Sequence, residues 1–290
     1  MNILSIQSHV AYGYVGNRAA TFPLQRLGLE VWAINTVQFS NHTGYGAWTG
    51  EVYPPASMAA LVQGIEARGV LGECDAVLSG YLGDSAMGDV VIDAVTKVRA
   101  ANDQALWCCD PVMGDVGRGF FVRSGIPELF RDRILPLTDI VTPNQFELDY
   151  LAGTETRSLD ATITACRALL AKGPRIVLVT SLHRAEAKAG EIEMLAVTKN
   201  AAYLVATPQL DFAVPPNGSG DAVAALFLAH YLKSKDVAAA LGEAAAAIFA
   251  VMQATHRAGR RELDLIGAQD EIARPSRHFE VQQVTQGLAA

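Results

Sequence analysis

The chain is 290 residues long, half of them apolar and 18% charged, with a formal net charge of −7 and no run of lysine or arginine. That composition supplies a sizeable buried core and excludes disorder of the whole chain. The acidic balance argues against nucleic acid or an anionic membrane as the main partner, although a phosphorylated ligand needs only a local positive potential.

No apolar run approaches the ~18 residues of a membrane span. The N-terminus, MNILSIQSHVAYGYVG, reads as a strand rather than a secretory leader. Cys74, Cys108, Cys109 and Cys166 form no CxxC pair and read as buried thiols of a cytoplasmic protein.

In chain order, short apolar, β-branched runs predict strands at 3–6, 31–35, 76–79, 105–109, 140–142 and 176–180. Helical periods lie between them at 17–27, 57–68, 86–101, 145–152 and 160–171. Two further runs, 191–198 and 202–206, predict an antiparallel pair at a sheet edge. Helices at 219–232 and 236–255 follow, the second rich in alanine and suited to close packing. The glycine- and aromatic-rich stretch 41–55 reads as a flap or hairpin beside the sheet. This βαβα order predicts a single α/β domain over 1–290, a mainly parallel sheet with helices on both faces and an antiparallel edge. Residues 285–290 read as a flexible tail.

Ligands of such open sheets bind beyond the carboxyl ends of the strands. That rule selects Ser8, 41–44, 79–81, Asp110, Thr142 with Asn144, and Thr180 with Ser181 as the walls of one cleft. There is no GxxxxGK[ST], HExxH or GxSxG motif, and no GxGxxG after the first strand. Phosphate must therefore be handled by another device. PPNGSGD (215–221) can supply one: glycines at a helix N-terminus expose backbone N–H groups, and the helix dipole adds about half a positive charge. Asp221, just inside, could accept a proton from an attacking hydroxyl. The plainer reading makes Ser219 an N-cap and Asp221 a dipole-favoured first-turn acid.

Two other motifs carry the same ambiguity. Asp110 ends an apolar strand before the loop DVGRGFF and could hold a metal–nucleotide complex or simply form an Asx turn. Asn144 and Glu147 could face a magnesium ion through water, or form an N-terminal capping box. His42 is a lone histidine without metal-ligand partners, and Tyr81 an aromatic after a strand that could stack on a ring.

Together, SHVAYGYVGN (8–17), FSNHT (39–43), SGYLG (79–83), DPVMGD (110–115), TPNQFE (142–147) and GSGD (218–221) resemble the pyridoxal kinase family of the ribokinase-like superfamily. The resemblance covers most of the chain and implies a three-layer sandwich and MgATP-dependent phosphorylation of the 5′-hydroxyl of pyridoxal, pyridoxamine or pyridoxine. It implies Asp221 as general base, with Gly218, Ser219 and Gly220 as the anion hole. Ser8 would bind the pyridine nitrogen side, Thr43 and Gly44 would line the ring pocket, and His42 and Tyr81 would lie nearby. Asp110, Thr142, Asn144, Glu147 and Thr180 would meet MgATP, with Asp110 and Glu147 at Mg2+, the latter through water. Thr207, Pro208, Gln209 and Leu210 would border the nucleotide. A homodimer is also implied, and participation of a monovalent cation stays open. Ser219 stands where the family often has threonine, and Thr180-Ser181 matches only some members. Two alternatives stand beside this reading: a hydroxymethylpyrimidine kinase, and a catalytically silent vitamin-binding regulator on the same scaffold.

Overall fold

The computed structural model describes residues 1–184 and 186–284; the expected tail at 285–290 lies outside the described residues. Its strands are β1 (Asn2–Val10), β2 (Glu30–Phe39), β3 (Gly50–Val52), β4 (Cys74–Ser79), β5 (Leu106–Cys109), β6 (Gly114–Asp115), β7 (Gly119–Phe120), β8 (Ile140–Val141), β9 (Ile176–Leu182), β10 (Glu191–Thr198), β11 (Ala202–Pro208) and β12 (Val281–Val284). The helices are α1 (Asn17–Arg26), α2 (Pro55–Glu66), α3 (Met87–Ala101), α4 (Ile126–Leu129), α5 (Gln145–Ala152), α6 (Leu159–Leu170), α7 (Ser219–Ser234), α8 (Val237–Arg257) and α9 (Gln269–Ala273).

Ten strands form one sheet in the order β12-β11-β10-β9-β8-β5-β4-β1-β2-β3, with β6 and β7 as a separate hairpin. Pairing is parallel from β2 through β9 and antiparallel at both margins. The central strands are apolar along nearly their whole length because both faces are covered. On one face α2, α3, α5 and α6 bury residues such as Met58, Val91, Leu148 and Cys166 against Leu4, Trp107 and Val177. On the other, α1, α7 and α8 bury Leu24, Phe227 and Ala244 against Ile3, Leu78 and Leu178. Helix α7 is apolar almost all round because sheet, α1 and α8 enclose it.

The edge pair is found at β10 and β11, yet it is not the margin, because β12 adds beyond it. The VQQV run of β12 has little burial of its own, so only pairing with β11 makes it a strand. Within 41–55, a 3-10 turn at Thr43–Tyr45 leads into β3, which pairs with β2. Strands β1 and β9 run past their predicted ends, so Ser8, Thr180 and Ser181 lie within the strands, at irregularities where the pairing skips them, rather than after them. The β6–β7 hairpin forms where an open loop was expected, and α4 and α9 are additions.

Helix α8 corrects the expectation about apolar length. Over an 18-residue window its mean hydropathy is 1.7, enough by length and composition to cross a membrane. Here it packs on α7, β10 and β11 and buries half of that window. Alanine keeps it apolar without the long aliphatic run that the eye seeks. All four cysteines are free and buried, and burial pushes each thiol up.

Candidate active site

Connections leave β1 towards β2 and β4 towards β5, in opposite directions, so the sheet has its switch point between β1 and β4. A cavity of about 510 Å³ opens there, at the carboxyl ends of the strands. It gathers sixteen of the eighteen residues to which the resemblance gives roles, and Ser181 as well, but not Asn41, Ser79 or Gly80. Ser8, His42, Thr43 and Tyr81 line one end, and Gly218, Ser219, Gly220 and Asp221 the middle. Asp110, Asn144 and Glu147 lie across from them, and Thr180, Thr207, Pro208, Gln209 and Leu210 form the far end.

Gly44 and Thr142 are the two of the eighteen it does not include. The 3-10 turn directs Thr43 into the cavity and leaves Gly44 against His42 and Asn217, its carbonyl accepting from Arg261 Nη2 at 2.9 Å. Thr142 is buried behind Asp110, its hydroxyl without a partner in good geometry.

Local sequence explains how each group is held. The β1–β2 register slips between Gln7 and His9, and this bulge leaves Ser8 unpaired and turned to the cavity. Gly218 has φ 88 and caps α7, and a Cβ there would overlap the Tyr14 carbonyl. Ser219 is therefore the first residue of α7, not its cap, and no side chain caps the helix. The N–H groups of Ser219 and Gly220 have no intrahelical acceptor, and both residues line the cavity.

Asp221, in that turn, is pushed up to about 6 by burial, with the Gly16 N–H and its own opposing the rise. Asp110 is raised well above the usual range by burial, then by the charges of Glu147 and Asp221; the Thr142 hydroxyl opposes this only weakly. Burial likewise lifts Glu147 to about 8, against three backbone N–H groups.

Glu147 realises the capping box. Its Oε2 accepts from Asn144 N at 2.9 Å and its Oε1 from Met113 N at 2.9 Å, while Asn144 Oδ1 accepts from Glu147 N at 2.9 Å. Asn144 Nδ2 also donates to Gly114 O at 2.8 Å, so this pair roots the β6–β7 hairpin. A hard cation such as Mg2+ fits here: Asp110 is buried, without a cationic partner among the described residues, and repelled by two neighbouring carboxylates. No cluster of three acidic, histidine or cysteine ligands exists among the described residues, so such an ion would share its shell with phosphate and water.

The raised acids predict a pH dependence. Each holds its proton more tightly folded than unfolded, so the folded state carries the excess protons between ~4 and the raised values, about 6 for Asp221 and about 8 for Glu147. Stability then falls as pH rises across that window. The Tm of ligand-free protein should decline from pH 5 to pH 8 and recover on adding Mg2+ with nucleotide; a Tm that climbs instead contradicts the assignment.

Glu262 escaped the sequence reading. It follows α8 in the run HRAGRREL, with no local signal, because its partners are 217 to 248 residues away. Its Oε1 accepts from Tyr45 Oη at 2.7 Å and lies 3.0 Å from His42 Nε2, and its Oε2 accepts from Tyr14 N at 3.2 Å. Burial raises this carboxyl, but the bonds from His42 and Tyr45 outweigh it and hold it below its usual value. Arg261 adds its guanidinium 3.8 Å from the Tyr45 ring centre. Two adjacent side chains thus tie the flap turn and the β1–α1 loop together. Glu262→Ala should cost about 2–4 kcal/mol of stability and loosen the flap end of the cavity, read by thermal unfolding and by faster proteolysis of the 41–55 segment.

Apolar walls were also missed: Phe39 and Phe121 near the flap, and Phe212, Phe249 and Met252 beside Leu210. Apolar residues at strand ends, in helices and in loops give no sequence sign of facing a cavity rather than the core.

Solved structures share this architecture. The pyridoxal kinase of Leishmania donovani in complex with ADP and ginkgotoxin superposes with a TM-score of 0.91 at 32% identity, covering 98% of this chain and 99% of that one. The same enzyme with ADP and pyridoxamine gives 0.90 at 31% identity, with the same coverage. Fold and cavity together define a small-molecule kinase of the ribokinase-like fold. A family model described as phosphomethylpyrimidine kinase matches residues 54–265. Pyridoxal kinase PdxY of Rubrobacter xylanophilus is 56% identical over 285 residues, 98% of each chain. That of Deinococcus radiodurans is 54% identical over 98% of this chain and 96% of its own. The chain belongs to the pyridoxal kinase family.

Proposed function

We propose that this protein transfers the γ-phosphate of ATP to the 5′-hydroxyl of pyridoxal, and also of pyridoxamine and pyridoxine, in salvage of pyridoxal 5′-phosphate. The carrying observation is Asp221 in the first turn of α7, beside open N–H groups and between the Ser8–Thr43 end and the Thr207–Leu210 end of one cavity. Identity of 54–56% to pyridoxal kinases over nearly the whole chain supports the acceptor class.

On this reading the vitamer ring lies among Ser8, Thr43 and Tyr81, with the nucleotide along Thr180 and Thr207–Leu210. Asp221 takes the alcohol proton as its oxygen attacks the γ-phosphorus. The Ser219 and Gly220 N–H groups meet charge on the transferring oxygens. Mg2+, held at Asp110 with Glu147 behind it, would neutralise phosphate charge when bound. Glu147 itself keeps the hairpin root in place through its three backbone bonds. Action as one domain and a cytoplasmic location rest on the order of elements and the cysteine usage, and a homodimeric assembly on the resemblance; light scattering tests the assembly.

The experiment is ADP release with pyridoxal and, in parallel, hydroxymethylpyrimidine. Turnover with pyridoxal supports the reading. Preference for the pyrimidine, which the family model's description makes the natural rival, moves the acceptor but keeps the mechanism. Binding without turnover of either points to a silent scaffold.

A further inference from the structure

The cavity is lined by Asp110, Asp115, Glu147 and Asp221, and among its described lining residues the single lysine or arginine is Arg118. A site that receives a triphosphate beside four carboxylates needs cationic charge near the phosphorus, beyond what N–H dipoles supply. Arg118 occupies the tip of the β6–β7 hairpin, which is held at its base. There, Glu147 and Asn144 bind the hairpin backbone, and Phe120 packs edge-on against Phe146 and Tyr150 with ring centres 5.0 and 5.2 Å apart. A Cβ at Gly114 would overlap the Phe146 ring, so hairpin and α5 approach as closely as backbone allows. The tip itself is open: Gly117 and Gly119, at φ 78 and 70, flank Arg118, and a Cβ on either meets nothing within 4 Å.

The guanidinium lies over the Phe121 ring, 5.2 Å from its centre, and its one hydrogen bond is a long one, 3.5 Å from Nη1 to Asn217 Oδ1. It has no carboxylate partner among the described residues. Asn217 immediately precedes Gly218, so the charge stands at the mouth of the α7 N-terminus with most of its five donors uncommitted.

We infer that Arg118 is a catalytic residue that contacts the transferring phosphoryl group from the hairpin tip; this rests on the kinase reading above. As the vitamer 5′-oxygen bonds to the γ-phosphorus, its proton passes to Asp221 and the bond to the β,γ-bridging oxygen breaks, leaving ADP. Arg118 meets the charge on the equatorial oxygens, opposite the N–H groups of α7.

Arg118→Ala and Arg118→Lys test this, with pyridoxal and ATP as substrates. Arg118 is exposed and weakly bonded, so both variants should match the wild-type Tm and bind ADP and pyridoxal as tightly. In Arg118→Ala, kcat should fall by about 10³-fold with KM for pyridoxal little changed, and added guanidinium ion should restore part of it. Arg118→Lys should retain more activity than alanine. Wild-type kcat in Arg118→Ala overturns the assignment, as does a loss confined to KM or Tm, which would mark Arg118 as packing only. Wild type is assayed in the same series: if it does not phosphorylate pyridoxal, the kinase reading fails, whereas an active wild type with an unaffected variant removes Arg118 alone.

Discussion

Asp221→Asn is expected to lower kcat with pyridoxal by about 10²–10⁴-fold while leaving the Tm and the affinities for ADP and pyridoxal near wild type. The substitution keeps the shape of the side chain and removes the lone pair that receives the alcohol proton. It also removes one of the two carboxylates that repel the buried Asp110, so the variant should be no less stable and its Asp110 easier to ionise. Burial places Asp221 near 6, close enough to neutrality for a base that is ionised at pH 7 and still basic. Wild-type kcat/KM for pyridoxal should therefore rise with pH through about 6, and that limb should vanish in the variant. Were the carboxylate only a helix-terminal acid, the change would cost ~1 kcal/mol of stability or less and leave turnover alone. A variant with wild-type kcat would leave this fold without a base at the phosphate site.

Gly218→Ala is expected to damage both stability and activity. The position has φ 88, where an L residue costs about 1–2 kcal/mol, and its Cβ would overlap the Tyr14 carbonyl. Relieving that overlap adds about 1–3 kcal/mol of packing strain. The total, about 2–5 kcal/mol, is a large share of the ~5–15 kcal/mol that holds a domain folded. Any relaxation also moves the first turn of α7 away from the β1–α1 loop, and with it the N–H groups and Asp221. Urea unfolding with kcat on the same samples checks both effects. Gly153→Ala is the control: φ is 74 there, but an added Cβ meets nothing within 4 Å, so only the backbone strain should appear and kcat should stay unchanged. Equal losses at the two glycines would show that the contact with Tyr14 is unimportant.

The candidate site was legible to the extent that chemistry is local in the chain. GSGD announces a helix N-terminus with an acid in its first turn, and Asp110 and Asn144 follow β5 and β8 as the rule for open sheets requires. The capping box at Asn144 and Glu147 is also a short-range pattern, and the structure realises it. Of the two readings of that motif the structure shows the cap, and Glu147 is also the anchor of a hairpin and part of the cavity's acidic wall.

Sequence alone determined the alternation of strands and helices, since burial on both faces of a parallel sheet forces apolar runs of strand length. It also determined where backbone N–H groups stand free and which acids sit beside them. Only the tertiary structure decided the rest. Bulging of β1 to expose Ser8 depends on pairing with β2, and β12 exists because β11 offers an unpaired edge. Asp110 is raised by burial and then by Glu147 and Asp221, which lie 37 and 111 positions further along the chain. Glu262 reaches His42 across 220 residues, and Arg118 reaches Asn217 across 99. The physical reason is common to all of these: charge interaction, strand pairing and cavity shape depend on distance in space, and a sequence records distance only along the chain.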